Sequence, residues 1–229
     1  MPVSGAMCLT LPVVEVETAE AGNDAHGRSE SPVAGLERLV FFSDAVVAIA
    51  ITLLALDLHV PEHVSNTGFW HDLGRNRDDY LGFLISFAVI GNHWLAHHRT
   101  WGRVTRLTGR LLVLNLAWLL MIVVTPFATR VIVADGAFAG RFTLYAAVQA
   151  LAAILSLLAI HEMNRQDLLG AGTSRETFAR GYYQTSVVAV AFLVSIPLAY
   201  ATHWAYLCWA AIPVAERLGN RLRARRRGA

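Results

Sequence analysis

Lysine is absent from this chain of 229 residues, and cysteine and charged residues are scarce. The two cysteines, Cys8 and Cys208, stand far apart without metal-ligand spacing, which excludes a disulfide framework and a zinc site. Charged residues make up 16% of the chain, whereas average soluble domains carry roughly 25%. Together with 55% hydrophobic residues and a mean hydropathy of +0.45, this composition indicates a membrane protein.

Catalytic motifs are missing as well. The short loops contain no glycine-rich phosphate loop, nucleophile elbow or paired catalytic carboxylates. We therefore expect neither an enzyme nor a bound cofactor or resident metal. The sequence also lacks T-V-G-Y-G, which argues against a conventional potassium filter built from backbone carbonyls.

Six apolar stretches are each long enough to cross the ~30 Å hydrocarbon core of a bilayer. They fall near residues 38–58, 79–99, 110–132, 141–161, 181–200 and 203–218. The sequence therefore predicts an all-α membrane protein with six transmembrane helices per subunit. We expect a disordered, acidic N-terminal tail over residues 1–34, a six-helix membrane domain over 35–219 and a basic C-terminal tail over 220–229.

The arginines predict how the chain is oriented. All 19 basic residues are arginines, and the predicted spans place 15 of them on one side and 4 on the other. By the positive-inside rule, both termini are cytoplasmic. The arginine run at residues 221–227 follows a membrane helix directly, which favours a topology anchor or an anionic-lipid contact over nucleic-acid binding.

An arginine and an aspartate stand at the start of the first apolar stretch, where charges are costly and usually functional. The motif Arg38-Leu-Val-Phe-Phe-Ser43-Asp44 has the form R-x-x-x-F-S-D. It resembles the signature of the transmembrane protein 175 family of potassium channels, which includes the endolysosomal channel of animals and six-helix prokaryotic relatives. Further along, Trp94-Leu-Ala-His97 is similar to the W-x-x-H motif of the family's second helix. Asn115 and Thr125-Pro126-Phe127 are similar to its third helix.

The resemblance implies a passive potassium-selective or potassium-preferring channel of a prokaryotic cell membrane. Because the F-S-D motif occurs once, the chain is similar to the single-repeat form, in which four identical subunits assemble among membrane lipids. The first helix of each subunit lines the pore in that family, and the narrowest residue follows the motif's aspartate by five positions. That residue is Ile49 here, with Leu53 and Leu56 as the next layers, and the polar contacts for potassium fall on Thr52 and the carbonyl of Ala48.

The charged motif also needs partners from other helices. Arg38 and Asp44 are about 240° apart around a helix, so they do not pair with each other. Counting depth along antiparallel helices places Asp44 level with Asn92 and His93, and Asn115 at a similar depth. We expect a structural network that braces the pore helix and consists of Arg38, Phe42, Ser43, Asp44, His93, Trp94, His97 and Asn115.

Three alternatives stay open at this stage. By spacing alone, Ile49, Leu53 and Leu56 form an aliphatic stripe that is more typical of a lipid-facing or packing surface than of a pore. Asp44, Asp57 and the histidines are compatible with a proton-coupled transporter, although no inverted repeat supports one. Finally, His93 and His97 have the i, i+4 spacing of a haem or metal pair in a membrane oxidoreductase, without a second ligand pair on another helix.

Overall fold

The computed structural model describes residues 32–61, 65–170 and 175–225. The described part is helical apart from its connections and one isolated bridge between Val104 and Leu169. Residues 1–31 of the predicted N-terminal tail (1–34) and the last four residues of the chain lie outside the described part. In chain order the α-helices are α1 (Pro32–Leu56), α2 (Asn66–Arg75), α3 (Arg77–Trp101), α4 (Gly109–Val133), α5 (Phe138–Arg165), α6 (Arg175–Ala201), α7 (Leu207–Ala210) and α8 (Ile212–Arg225), with a 3-10 turn over His203–Tyr206 between α6 and α7.

Four of these helices, α1, α4, α5 and α6, are long and apolar enough to cross a membrane. They coincide with four of the predicted spans. Helix α3 also has 25 residues and coincides with the predicted span 79–99, but Asn92 and its histidines lower its hydropathy. Two of its buried polar side chains, Ser86 and His97, hydrogen-bond to neighbouring helices, as is typical of polar groups at membrane depth.

The sixth predicted span, residues 203–218, is not one continuous helix. Thr202 accepts a hydrogen bond from the backbone N–H of Trp204 at 3.2 Å and so starts a 3-10 turn, which α7 follows. Pro213 is the second residue of α8, where its missing N–H costs little because a first-turn N–H has no partner within the helix. Helix α8 then continues to Arg225, past the boundary at residue 219 that we expected.

The broken C-terminal segment is held against α5 and α6 by aromatic packing. The ring of Trp209 stacks on Phe142, with centroids 4.5 Å apart, and lies 5.1 Å from the ring of Phe192. Its indole Nε1 donates to Ser195 Oγ of α6 at 2.9 Å. Packing a partly buried aromatic ring while bonding its polar atom stabilises such a contact, so Trp209 holds the broken segment against α5 and α6.

Small side chains on α5 let its neighbours approach closely. Ala146, Ala150 and Ala153 are buried and recur on one face at helical spacing. Close approach of helix backbones is how apolar helices associate where lipid provides no hydrophobic driving force. Helices α4, α5 and α6 therefore form a packed unit against which α1 and α3 rest.

Candidate pore helix and its polar anchor

Helix α1 has one face buried by its own chain. Val47, Ala50 and Leu54 are 1–3% exposed and pack with Ile90 of α3 and Trp118 of α4. The spacing of three to four residues keeps these side chains on one side of the helix. The rotation of α1 in the subunit is thereby fixed.

The opposite face of α1 is left uncovered over most of its length. Ile49, Leu53 and Leu56 lie on it, with exposed fractions of 59%, 41% and 79%. Ala48 and Thr52 are exposed beside them, and the Thr52 hydroxyl donates to the carbonyl of Ile49 at 2.8 Å. We call this surface the exposed face of α1; it comprises Phe41, Phe42, Ala45, Ala48, Ile49, Thr52, Leu53 and Leu56.

A chain of hydrogen bonds ties the N-terminal half of α1 to α4 and α3. Asn115 of α4 donates from Nδ2 to Ser43 Oγ at 2.9 Å, and its Oδ1 lies 2.8 Å from Nε2 of His97. Ser43 in turn donates to the carbonyl of Leu39, one turn earlier in α1. All three polar side chains are at least 93% buried, so each depends on the others for its hydrogen bonds.

The neighbouring residue of α1 bonds to a different helix. Trp94 Nε1 donates to Asp44 Oδ1 at 2.8 Å. Depth counting had placed Asn92 and His93 near Asp44, whereas the group that reaches it is the indole of the next residue along α3. We call Ser43, Asp44, Trp94, His97 and Asn115 the polar anchor.

The His97 ring stacks against two tryptophan rings. Its centroid lies 4.3 Å from the Trp118 ring, with planes 12° apart, and 5.2 Å from the Trp101 ring. Its Nδ1 atom is buried and has no hydrogen-bond partner within the described part of the chain. Stacking therefore fixes the ring plane, and Asn115 supplies the one hydrogen bond to the ring.

The other three members of the predicted network lie outside the anchor. The Arg38 side chain is exposed at the N-terminal end of α1, and Phe42 is 51% exposed on the exposed face of α1. His93 is buried beside Gln149 of α5, although His93 Nε2 and Gln149 Oε1 do not reach hydrogen-bond geometry. The two histidines that suggested a metal pair thus have different surroundings.

Sequence reasoning missed the contacts beyond the C-terminal end of α1. Asp57 pairs with Arg130 of α4 at 3.4 Å, and His59 Nε2 lies 3.1 Å from Asp72 Oδ2 of α2. Tyr80 of α3 donates its hydroxyl to the carbonyl of His59 at 2.6 Å. The available signal was a concentration of polar residues directly after an apolar stretch, but it does not say which of them pair.

A second polar chain, also missed, crosses between α3, α4 and α5. Thr129 Oγ1 donates to Ser86 Oγ at 2.8 Å. Ser86 Oγ in turn lies 3.1 Å from the Tyr145 hydroxyl oxygen. Gln149 Nε2 donates to Thr125 Oγ1 at 3.2 Å. Hydroxyl and amide residues inside otherwise apolar helices were the signal, because such groups bond across helices in a membrane.

These features define a class: an α-helical membrane protein whose first helix is bonded to its own subunit on one side and presents an uncovered apolar face on the other. A family model described as "Endosomal/lysosomal potassium channel TMEM175" matches residues 38–126, which contain most of α1, all of α3 and the polar anchor. The chain belongs to the TMEM175 family.

Relatives with curated names and a solved structure agree with this assignment. A potassium channel of Streptomyces collinus is 33% identical over 72% of this chain and 86% of its own. A potassium channel of Chamaesiphon minutus is 31% identical over 73% of this chain and 85% of its own. The crystal structure of a lysosomal potassium-selective channel TMEM175 homolog from Chamaesiphon minutus superposes with a TM-score of 0.65 at 26% identity, over 81% of this chain and 96% of that one.

Membership in this family bears on one of the functional classes left open by the sequence. The family is one of potassium channels and not of enzymes, so the oxidoreductase alternative is wrong. The positions of the two histidines agree with this rejection of a ligand pair, because His97 bonds to Asn115 while His93 lies next to Gln149.

Proposed function

We propose that this protein is a potassium-selective channel that conducts ions passively through a pore lined by α1 from four identical subunits. The observation that carries the proposal is the exposed face of α1: the residues of the family motif bond one side of this helix to its own subunit and leave the apolar face available to a pore axis. The potassium-channel names of the relatives support the choice of ion. One subunit contributes one such helix, so several copies are needed to surround a pore.

In this proposal Ile49 forms the narrowest ring, and Leu53 and Leu56 form the next two layers. Rings of aliphatic side chains close a narrow bore by expelling water, since a hydrated cation gains nothing from apolar walls. Their exposed fractions of 41–79% leave all three side chains available to a pore axis. Opening then requires the ring at Ile49 to widen.

Polar atoms beside the ring are suited to a partly dehydrated potassium ion. The Thr52 hydroxyl donates its proton to the carbonyl of Ile49, which leaves its oxygen lone pairs for a cation. The carbonyl of Ala48 is the second proposed contact. The polar anchor has a structural role here: it holds the N-terminal half of α1 without touching the ion.

The membrane placement follows from the arginines. We propose a multi-pass protein of the prokaryotic cell membrane with both termini in the cytoplasm, because 15 of the 19 arginines fall on the side of the termini. The membrane domain over residues 35–219 would carry conduction. The tails over 1–34 and 220–229 remain proposals, since much of their length lies outside the described residues.

Ion flux through purified protein in liposomes tests the proposal. We expect rubidium to enter the liposomes down its concentration gradient without proton movement. In planar bilayers with potassium and sodium gradients, we expect the reversal potential to lie close to the equilibrium potential of potassium. Uptake that requires a proton gradient would favour a transporter and contradict the channel. Absence of any flux from protein that elutes as a tetramer would contradict it as well.

Two matched variants test the position of the constriction. Ile49→Ala shortens a side chain that is 59% exposed on α1, and Val190→Ala shortens one that is 57% exposed on α6. We expect Ile49→Ala to raise conductance or reduce the preference for potassium over sodium, and Val190→Ala to leave both unchanged. Equal behaviour of the two variants would place the constriction elsewhere.

A further inference from the structure

A cavity of about 460 Å³ lies between α3, α5, α6 and α8, away from the exposed face of α1. Three arginines line it: Arg99 from the last turn of α3, Arg103 from the following loop and Arg180 from the first turns of α6. Glu216 of α8 is the one carboxylate among the described residues of its wall. The cavity is therefore positively charged, and its volume lies within the range of about 300–1,000 Å³ that is typical of ligand sites.

These three residues, the cavity arginines, differ from the described arginines that have partners within the chain. Arg110 and Arg165 pair with Glu162, and Arg141 donates to the carbonyl oxygens of Ile132 and Gly136. By contrast, no ion pair or side-chain hydrogen bond found between described residues involves the guanidinium of a cavity arginine. The three guanidinium groups are exposed at one open cavity and repel each other, and an anion between them would relieve that repulsion.

The neighbouring polar groups favour an oxygen-rich anion. Asn92 and Gln184 contribute side-chain amides to the wall, and these can donate to an anion. Guanidinium groups bind phosphate oxygens through two parallel N–H bonds, which a lysine ammonium does not provide. A phosphate group matches this donor set better than a carboxylate does, because it offers more acceptor oxygens to donors arriving from several helices.

The position of the cavity is the second argument. Its arginines stand at the end of α3 and the beginning of α6, where helices that cross a bilayer reach the headgroup level. In the proposed orientation these helix ends lie on the arginine-rich, cytoplasmic side. Basic pockets between membrane helices on that side are a known way of holding anionic lipid headgroups.

We propose that this cavity binds a phosphate group, supplied by the headgroup of an anionic phospholipid or by free phosphate. The site is distinct from the exposed face of α1. It joins α3 to α6 and α8, and α3 carries two members of the polar anchor. An occupant that bridges these helices stabilises the folded subunit by mass action.

Two triple variants with the same loss of charge test the proposal. The cavity variant is R99Q/R103Q/R180Q, and the matched control is R106Q/R217Q/R221Q, whose arginines lie on the same predicted side but do not line the cavity. Each purified protein is titrated with phosphatidylglycerol, phosphatidylcholine or inorganic phosphate. The readouts are the unfolding temperature and the number of lipids retained in native mass spectrometry.

We expect phosphatidylglycerol to raise the unfolding temperature of the wild type and of the control, and phosphatidylcholine to have little effect. The cavity variant should lose affinity by about tenfold or more, since one charge-assisted hydrogen-bonding group is worth about that factor. If inorganic phosphate raises the unfolding temperature of the wild type but not of the cavity variant, the occupant is free phosphate. If the wild type retains phosphatidylglycerol in native mass spectrometry and the cavity variant does not, the occupant is lipid.

The proposal is overturned if the two triple variants lose affinity equally, because general electrostatic attraction then explains the binding. It is also overturned if neither phosphatidylglycerol nor phosphate stabilises the wild type. A cavity variant whose subunits no longer associate, with no ligand effect in the wild type, would mean that a second copy of the chain fills the cavity. Should the triple variant fail to fold, the single variants R99Q, R103Q and R180Q are each compared with R106Q in the same titration.

Discussion

The substitution Asn115→Leu removes the central member of the polar anchor while keeping a side chain of similar size. It breaks the bond to Ser43 Oγ and the bond to His97 Nε2. Because His97 Nδ1 already has no partner within the described residues, the variant leaves a buried ring with neither nitrogen bonded. Losing one net hydrogen bond costs about 1 kcal/mol and orphaning a buried polar group about 1–3 kcal/mol, so we expect a loss of about 2–4 kcal/mol in unfolding free energy.

Thermal unfolding of the purified protein in a mild detergent measures this loss. At about 2–4 °C per kcal/mol for a chain of this size, the unfolding temperature should fall by about 5–15 °C. The control is Leu120→Ala on the same helix, whose side chain is 56% exposed. It should change stability by less than about 0.5 kcal/mol, as surface substitutions usually do.

A second substitution separates the orphaned histidine from other causes. In Asn115→Leu/His97→Phe, the phenyl ring can fill the stack between Trp118 and Trp101 and has no polar atom to satisfy. The double variant should therefore regain about 1 kcal/mol or more relative to Asn115→Leu, because the unpaired polar group is gone. A double variant no more stable than the single one would refute the reasoning, and so would an Asn115→Leu variant as stable as Leu120→Ala.

Two further predictions concern helix α3. Trp94→Phe removes the N–H that reaches Asp44 at 2.8 Å, so it should lower stability by about 1–3 kcal/mol and reduce the yield of folded protein in size-exclusion chromatography; an unchanged unfolding temperature would mean that Asp44 has another partner. Gly82→Ala would place a Cβ onto the side chain of Val133 and should destabilise by about 1–3 kcal/mol in thermal unfolding. Gly91→Ala is its control: a Cβ there meets no atom within 4 Å, and the helix should gain about 0.5–1 kcal/mol. Equal effects of the two glycine substitutions would contradict the close contact of α3 with α4.

Depth along the helices could be predicted from the sequence, whereas rotation about their axes could not. Counting residues placed Asn115 near the depth of Asp44, and the predicted network included Ser43, His97 and Asn115, which the structure joins by hydrogen bonds. The same counting did not identify Trp94 as the partner of Asp44, because neighbouring residues on a helix point about 100° apart and only packing decides which one faces α1. The start of α1 at Pro32 had a readable signal, since proline favours the first position of a helix.

Hydropathy located the long helices but not the break near the C-terminus. The window at 203–218 is apolar throughout its first part, yet Thr202 caps a 3-10 turn and Trp209 packs into the aromatic cluster of α5 and α6. A window average does not detect either interaction, because both depend on single side chains and on tertiary contacts. For the same reason, the arginine count predicted an orientation but not that Arg99, Arg103 and Arg180 share one cavity.

The two adjacent bonds of α1 restrict how that helix can move. Ser43 and Asp44 project about 100° apart and bond to different helices, so turning α1 about its own axis in either direction stretches one of the bonds. A swing about this doubly held level leaves both bonds intact. Leu56 lies twelve residues further along, about 18 Å away at 1.5 Å per residue, so a swing of about 5° would displace it by about 1.6 Å. Such a tilt about the polar anchor would therefore move Leu56 sideways by an atomic distance, and it would require the packing of Leu54 and the Asp57–Arg130 pair to yield.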